Sequence, residues 1–220
     1  MKKYEIKTEL KRDWFLLLIM FVIVILSVLV YPYLPERMAT HWNLEGEVDG
    51  YSSRLIGAIL LPLTAPALYL LMVVMPVFDP RRENYPKFIK GYRLFRLWFV
   101  LFLAGLHLLS LGFNLGFSTN IGQAVTLGVG IFFALIGNFF PQIRHNYFFG
   151  IKTPWTLASE QVWRKTHRLG GKLFFGSGLL LMFSIFLPDK PRFWLLMFLL
   201  LGSSLVTIVY SYAIFRKEKD

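Results

Sequence analysis

Trp14 to Pro35 reads WFLLLIMFVIVILSVLVYPYLP, 22 residues without one Asp, Glu, Lys or Arg. A helix needs roughly 20 apolar residues to cross about 30 Å of hydrocarbon, so this run is long enough for one membrane span. It is long for the apolar core of a secretory signal and has no convincing small-residue cleavage site after it, so it reads as a retained helix. Leu55 to Phe78 is a second uncharged run, with Pro62, Pro66 and Pro76 predicting a kink. Arg96 and Arg144 bracket a stretch too long for one helix and right for two, with Ser118, Thr119 and Asn120 as the hairpin between them. A fifth span ends near Asp189 and is expected to begin before Leu173, with Lys172 snorkelling to the interface; Phe193 to Phe215 makes the sixth. The expected fold is an all-α polytopic membrane protein of six helices.

Composition agrees with these runs. The chain has 220 residues, 55% of them hydrophobic and 17% aromatic, with a mean hydropathy of +0.53, which excludes a water-soluble globule. It contains no cysteine, so a disulfide framework, a thiolate nucleophile and a Cys-ligated metal are excluded. The net charge of +11 would suggest nucleic acid in a soluble protein. Here the charges are lopsided: nineteen Lys and Arg fall on the side of the termini and four on the other, with Arg96 at a helix end completing the 24. Positive-inside bias accounts for that excess without a nucleic-acid partner and predicts cytoplasmic N and C termini. Trp14, Tyr31, Tyr33, Tyr92, Trp98, Trp194 and Tyr212 fall near span ends, as interfacial anchors do.

Two polar stretches interrupt the spans. The outer one, residues 34–54, carries His41, Trp42, Asn43, Gly46, Asp49 and Tyr51 among turn formers, and its acids Glu36, Glu45, Glu47 and Asp49 outweigh Arg37 and Arg54. It reads as an ordered loop, and as a receptor surface able to attract a cationic peptide. Its His and acids fit no established metal-ligand spacing, so no metal site is assigned.

The inner stretch, residues 141–172, is denser. Asn138 precedes Pro141, where an amide can bond carbonyls that proline geometry leaves free, and Gly150 marks a turn. Thr153 and Pro154 form an N-cap and N1 pair for a helix expected to run through Trp163 toward Gly170, with Glu160, Arg164, His167 and Arg168 on one face. One reading is an interfacial helix anchored by Trp155 and Trp163 on anionic headgroups. The other is a docking or signalling surface, because Asn138, Arg144, Asn146, Thr153, Glu160 and His167 are more specific than a lipid raft requires.

These two stretches resemble the SdpI-like membrane immunity proteins. G-N-x-x-P, R-x-N-x-x-x-G-I-[RK]-T-P-W-T-L and S-E-x-V-W-x-x-T-H-R fall on Gly137 to Arg168, and L-P, T-H-W-N and G-x-x-D-G-Y of a small domain of unknown function fall on Leu34 to Tyr51. Lys152 stands where Arg is expected, and Ala39 where Pro is expected. The resemblance implies protection against a sporulation-delaying peptide toxin and, in the founding case, capture of a cytoplasmic transcriptional repressor. It would give the outer loop (His41, Trp42, Asn43, Asp49) to toxin and the inner motif (Asn138, Pro141, Arg144, Asn146, Gly150, Lys152, Thr153, Pro154, Trp155, Glu160, Trp163, His167, Arg168) to the partner. It also divides the single transmembrane domain into an N-terminal half, 1–116, and an SdpI-like half, 117–220.

Two other functions fit the sequence less well. A small-molecule or peptide transporter usually carries an intramembrane charge pair; the expected intramembrane polar groups here are only His107, read as a neutral histidine bonded to a carbonyl, and Asn114. An enzyme needs a nucleophile with a base or a metal with ligands, and His41, His107, His145 and His167 lie at different expected depths, while Glu160 with His167 reads as surface charge. No cofactor is demanded. Gly112 and Gly116 form G-x-x-x-G, consistent with close helix packing or a homodimer.

Overall fold

The structure is a computed structural model that describes residues 3–219. Short helix α1 (Ile6–Arg12) precedes α2 (Trp14–Val30); a β-hairpin, β1 (Arg37–Trp42) and β2 (Val48–Ser53), leads into α3 (Arg54–Phe78), α4 (Tyr85–Asn114) and α5 (Ile121–Phe139). Then come α6 (Pro154–Ala158), α7 (Glu160–Phe183) and α8 (Asp189–Lys219). Among the described residues six helices are long and apolar enough to span a membrane, as expected. The Tyr4 ring lies against Tyr85 at 6.0 Å and Ser159 donates to Glu218 at 2.8 Å, so both ends of the chain lie on the side of the inner loop.

The proline run does not break α3. Pro76 cannot donate to the carbonyl of Met72, and the Tyr92 hydroxyl donates to that oxygen instead, at 2.6 Å. Tyr4 Oη–H donates to the neighbouring Val73 oxygen at 2.8 Å. The proline gap at Met72 is thus filled from α4.

Tight helix packing occurs where the sequence reading did not put it. A Cβ on Gly137 would lie 2.2 Å from the Phe175 nitrogen, and one on Gly178 would lie 2.4 Å from the Ala134 nitrogen and 2.6 Å from the Gly130 oxygen. Gly130 and Gly137 on α5, seven apart, therefore meet Gly171 and Gly178 on α7, also seven apart, backbone to backbone. Gly112 and Gly116, by contrast, end α4: Gly116 has φ +92, and a Cβ on Gly112 would touch only Phe117, at 3.8 Å.

The fifth span begins before Leu173, as expected, at Glu160. The helix begun at Thr153 stops at Ser159, which is extended (φ −136, ψ 126) and caps a new helix by accepting from Val162 N–H at 3.2 Å. A serine side chain that bonds its own backbone competes with helix continuation. The segment is therefore not a separate interfacial helix but the inner end of α7, continuous with the span.

Candidate functional site

The outer stretch is a β-hairpin. Gly46 takes φ +79 in its turn, and Asn43 Oδ1 accepts from the N–H groups of Glu45 (3.0 Å) and Glu47 (2.9 Å), so Asn43 builds the turn. Asn114 is not a core polar group: it sits at the outer end of α4 and grips β1 as a neighbouring strand would. Its Oδ1 accepts from Ala39 N–H at 2.8 Å and its Nδ2 donates to the Ala39 oxygen at 3.1 Å. A proline at position 39 would have no N–H to give, so Ala39 and Asn114 fit one another. Met38 is fully buried against Gly57, and the Trp42 ring meets Phe113 edge-on at 5.2 Å.

What the hairpin leaves exposed is a charged tip. His41 Nδ1 and Asp49 Oδ1 are 2.5 Å apart with side-chain exposures of 74% and 43%. Arg37 lies over the exposed Tyr51 ring at 5.4 Å. Beneath the hairpin a cleft of about 510 Å³ is lined by His41, Trp42 and Asp49 on one side and by Thr126, Arg192 and Phe193 of α5 and α8 on the other. Arg192 is buried, pairs with Asp189 and donates to the Leu187 oxygen at 3.2 Å. Lys190 reaches Glu45 at 3.0 Å, linking hairpin to α8 across the cleft mouth. Trp42 Nε1, inaccessible to solvent, has no hydrogen-bond partner among the described residues.

The inner motif is built differently. Asn146 is completely buried: its Oδ1 accepts from the N–H groups of Phe148 (3.0 Å) and Phe149 (2.7 Å) and lies 3.3 Å from Tyr85 Oη, while Nδ2 donates to the oxygens of Arg144 and Phe149, both at 2.8 Å. Trp163, expected at an interface, is also completely buried and donates through Nε1 to the Ile143 oxygen at 2.9 Å. It is sandwiched between His145 (4.9 Å) and His167 (4.1 Å). Ile151 N–H donates to His167 Nε2 at 3.0 Å, which puts the ring proton on Nδ1, 2.8 Å from the Trp163 oxygen. Gly150 passes so close, at φ +118, that a Cβ there would lie 2.4 Å from that Nε2. His167 therefore does not share an exposed face with Glu160: it is 1% exposed, and Glu160 faces solvent. His145, outside the spans, has its pKa lowered by burial and by the nearby Arg81 charge.

Thr153 caps α6 in a reciprocal box with Thr156 and meets Ser211 of α8 at 3.0 Å. Trp155 packs on Tyr212 at 5.0 Å. Lys152 donates to the Phe148 oxygen at 3.1 Å, a single bond that asks for no guanidinium fork. At the mouth of the loop the expected roles of Asn138 and Pro141 change: Asn138 is exposed, and Gln142 Nε2 donates to the Asn138 backbone oxygen at 3.3 Å. Of the inner motif, Asn138, Pro141, Arg144, Lys152, Pro154, Glu160 and Arg168 remain exposed.

Sequence reasoning missed two groups. Asp79, read only as the end of a span, accepts from Tyr85 Oη–H (3.0 Å) and from the N–H groups of Tyr147 (2.9 Å) and Arg81 (2.7 Å), tying the two inner loops together. Arg96, by sequence a helix-end charge, is completely buried; its guanidinium donates to Glu9 and Asp13, both at 2.7 Å. Arg93 holds Glu9 as well, at 2.8 Å through Nε. Burial would raise the Glu9 pKa, but the guanidinium hydrogen bonds from Arg93 and Arg96 outweigh it and hold the carboxyl below its usual range. A buried carboxylate–guanidinium network thus exists after all, at the inner end of the bundle. His107 is bonded not to a carbonyl but to the Ser27 hydroxyl, Nε2 to Oγ at 2.7 Å. Among the described residues no three His, Asp or Glu gather to hold a metal ion.

The model of the SdpI/YfhL protein family matches residues 142–211, and that of a domain of unknown function, DUF1648, matches residues 18–65. The chain is 25% identical over 191 residues to Immunity protein SdpI of Bacillus subtilis (strain 168), covering 87% of this chain and 89% of that protein. No solved structure matches. With its six spans, its buried inner signature and its outer hairpin, the chain is a multi-pass protein of the bacterial cell membrane that is similar to SdpI over most of its length.

Proposed function

We propose that this protein is a membrane immunity protein that protects a bacterium by binding a secreted peptide toxin, without turnover, at the outer hairpin and the cleft beneath it. One observation carries the reading: the exposed His41–Asp49 pair stands at the edge of a cleft of about 510 Å³ whose other wall is the membrane bundle. A toxin that must reach the bilayer would meet this surface first, and the acids Glu36, Glu45, Glu47 and Asp49 are exposed to a cationic approach. The similarity to an immunity protein of B. subtilis supports the same role. The reading includes cytoplasmic termini, from the lopsided Lys and Arg count. It assigns a relay to a cytoplasmic repressor to the exposed inner rim, Arg144, Glu160, Arg164 and Arg168, because the buried part of the inner motif is spent on holding the loop.

The test is membrane potential in a sensitive bacterium given a sporulation-delaying peptide toxin. Cells with the wild-type protein are expected to keep their potential. Those with His41→Ala plus Asp49→Ala, at equal membrane levels, are expected to lose it. Protection indifferent to both residues but dependent on Arg144 or Glu160 would refute outer-face binding.

A further inference from the structure

A second groove, on the opposite end of the molecule from the hairpin, lies between α1 and the start of α4. It has a volume of about 640 Å³ and is lined by Lys3, Arg12, Lys87 and Arg93, with Glu5 and Glu9. Glu9 is already neutralised by Arg93 and Arg96, so the free balance is Lys3, Arg12 and Lys87, all exposed, against Glu5. Lys7, Lys11 and Lys90, exposed on the same two elements, add to the positive field. A second cavity of about 430 Å³ adjoins it, sharing Lys3, Tyr4 and Pro86; its remaining wall is Pro76 and Val77 at the inner end of α3 together with Arg82 and Glu83, whose opposite charges offset one another. Tyr4 stands between them, fixed by its bond to the Val73 oxygen; burial raises its pKa to about 12, so it stays a neutral donor.

We propose that these joined cavities are a binding site for one anionic phospholipid, its phosphate among Lys3, Arg12 and Lys87 and its glycerol and upper acyl chain against Pro76 and Val77. The charge fits a phosphate diester. The position fits a lipid, because α2 begins at Trp14 and α3 ends at Phe78, which puts the basic groove at headgroup depth and the apolar wall formed by Pro76, Val77 and Pro86 just below it. An acidic segment of a soluble protein or a free phosphate ester would use the cations but has no need of a slot at the end of a span. The site is independent of the outer cleft and stands or falls apart from toxin binding.

Native mass spectrometry of the purified full chain tests it, with phosphatidylglycerol and phosphatidylcholine of identical acyl chains and with glycerol 3-phosphate as the free headgroup. The wild type is expected to retain phosphatidylglycerol over phosphatidylcholine, with the preference falling about fivefold for each cation removed in Lys3→Gln, Arg12→Gln and Lys87→Gln. Removing Lys165, Arg168 and Lys172 in the same way is expected to leave it intact. Val77→Trp, which fills the slot and keeps the charges, is expected to weaken lipid retention. Equal retention of the two lipids, equal losses in the two triple variants, retention unaffected by Val77→Trp, or displacement by equimolar glycerol 3-phosphate would each overturn the proposal.

Discussion

The outer hairpin and the inner loop are both long polar stretches between membrane spans, and from the sequence both look like surfaces. They are opposites in structure. In the hairpin the specific side chains face out: His41 and Asp49 bond to each other and little else, while the anchoring falls to Met38, Ala39 and Asn114. In the inner loop the specific side chains face in: Asn146, Thr156, Trp163 and His167 are buried and bond to backbone that would otherwise lack partners. A buried polar group is costly unless satisfied, so a loop that buries this many is specified by its own hydrogen bonds rather than by a partner. A motif dense in polar residues is therefore not, by that density alone, a binding site.

The contrast predicts that stability and protection respond to different residues. The largest losses of stability should come from inside. Trp163→Ala removes the ring between two histidines and strands the Ile143 carbonyl, at a cost of about 3–5 kcal/mol. Little folded protein should then be recovered in detergent, as judged by size-exclusion chromatography. Arg96→Met leaves Glu9 and Asp13 buried beside one remaining guanidinium and should cost a similar ~3–5 kcal/mol, read as a lowered melting temperature.

A smaller effect should appear on acidification. Because Glu9 titrates below its usual range in the folded protein, the unfolded chain takes up its proton first as pH falls. The stabilisation is complete above the ordinary glutamate pKa and is lost as pH drops through the lowered folded value. Melting temperature should fall with pH across that acidic window, and the slope should flatten in Glu9→Gln. Smaller again, Ala39→Pro deletes the N–H that Asn114 accepts, about 1 kcal/mol by thermal melting. His41→Ala should leave the melting temperature unchanged and still abolish protection, the sharpest separation of the two regions.

The spans were legible because exclusion of charge from hydrocarbon is a one-dimensional rule, and Trp14 to Pro35 or Leu55 to Phe78 obey it without reference to any neighbour. The hairpin and cap residues were partly legible: Gly46 and Thr153 act where their chemistry predicts. What escaped depends on packing between distant segments. Arg96 looks like any helix-end cation until α1 is laid beside α4, and Asn146 looks exposed until Tyr85 arrives from another loop. The seven-residue spacing of Gly130 with Gly137 and of Gly171 with Gly178 is present in the sequence, but spacing within one helix does not say which helix will face it.

The absence of native cysteine makes the central claim directly measurable. Glu47→Cys on the hairpin and Arg164→Cys on the inner rim, each the single thiol in its variant, can be labelled on intact cells with a membrane-impermeant maleimide, with and without toxin. Outer-face binding predicts that position 47 reacts on intact cells and is shielded by toxin, while position 164 reacts only after the membrane is opened. Labelling of position 164 on intact cells, or labelling of position 47 that toxin leaves unchanged, would contradict it.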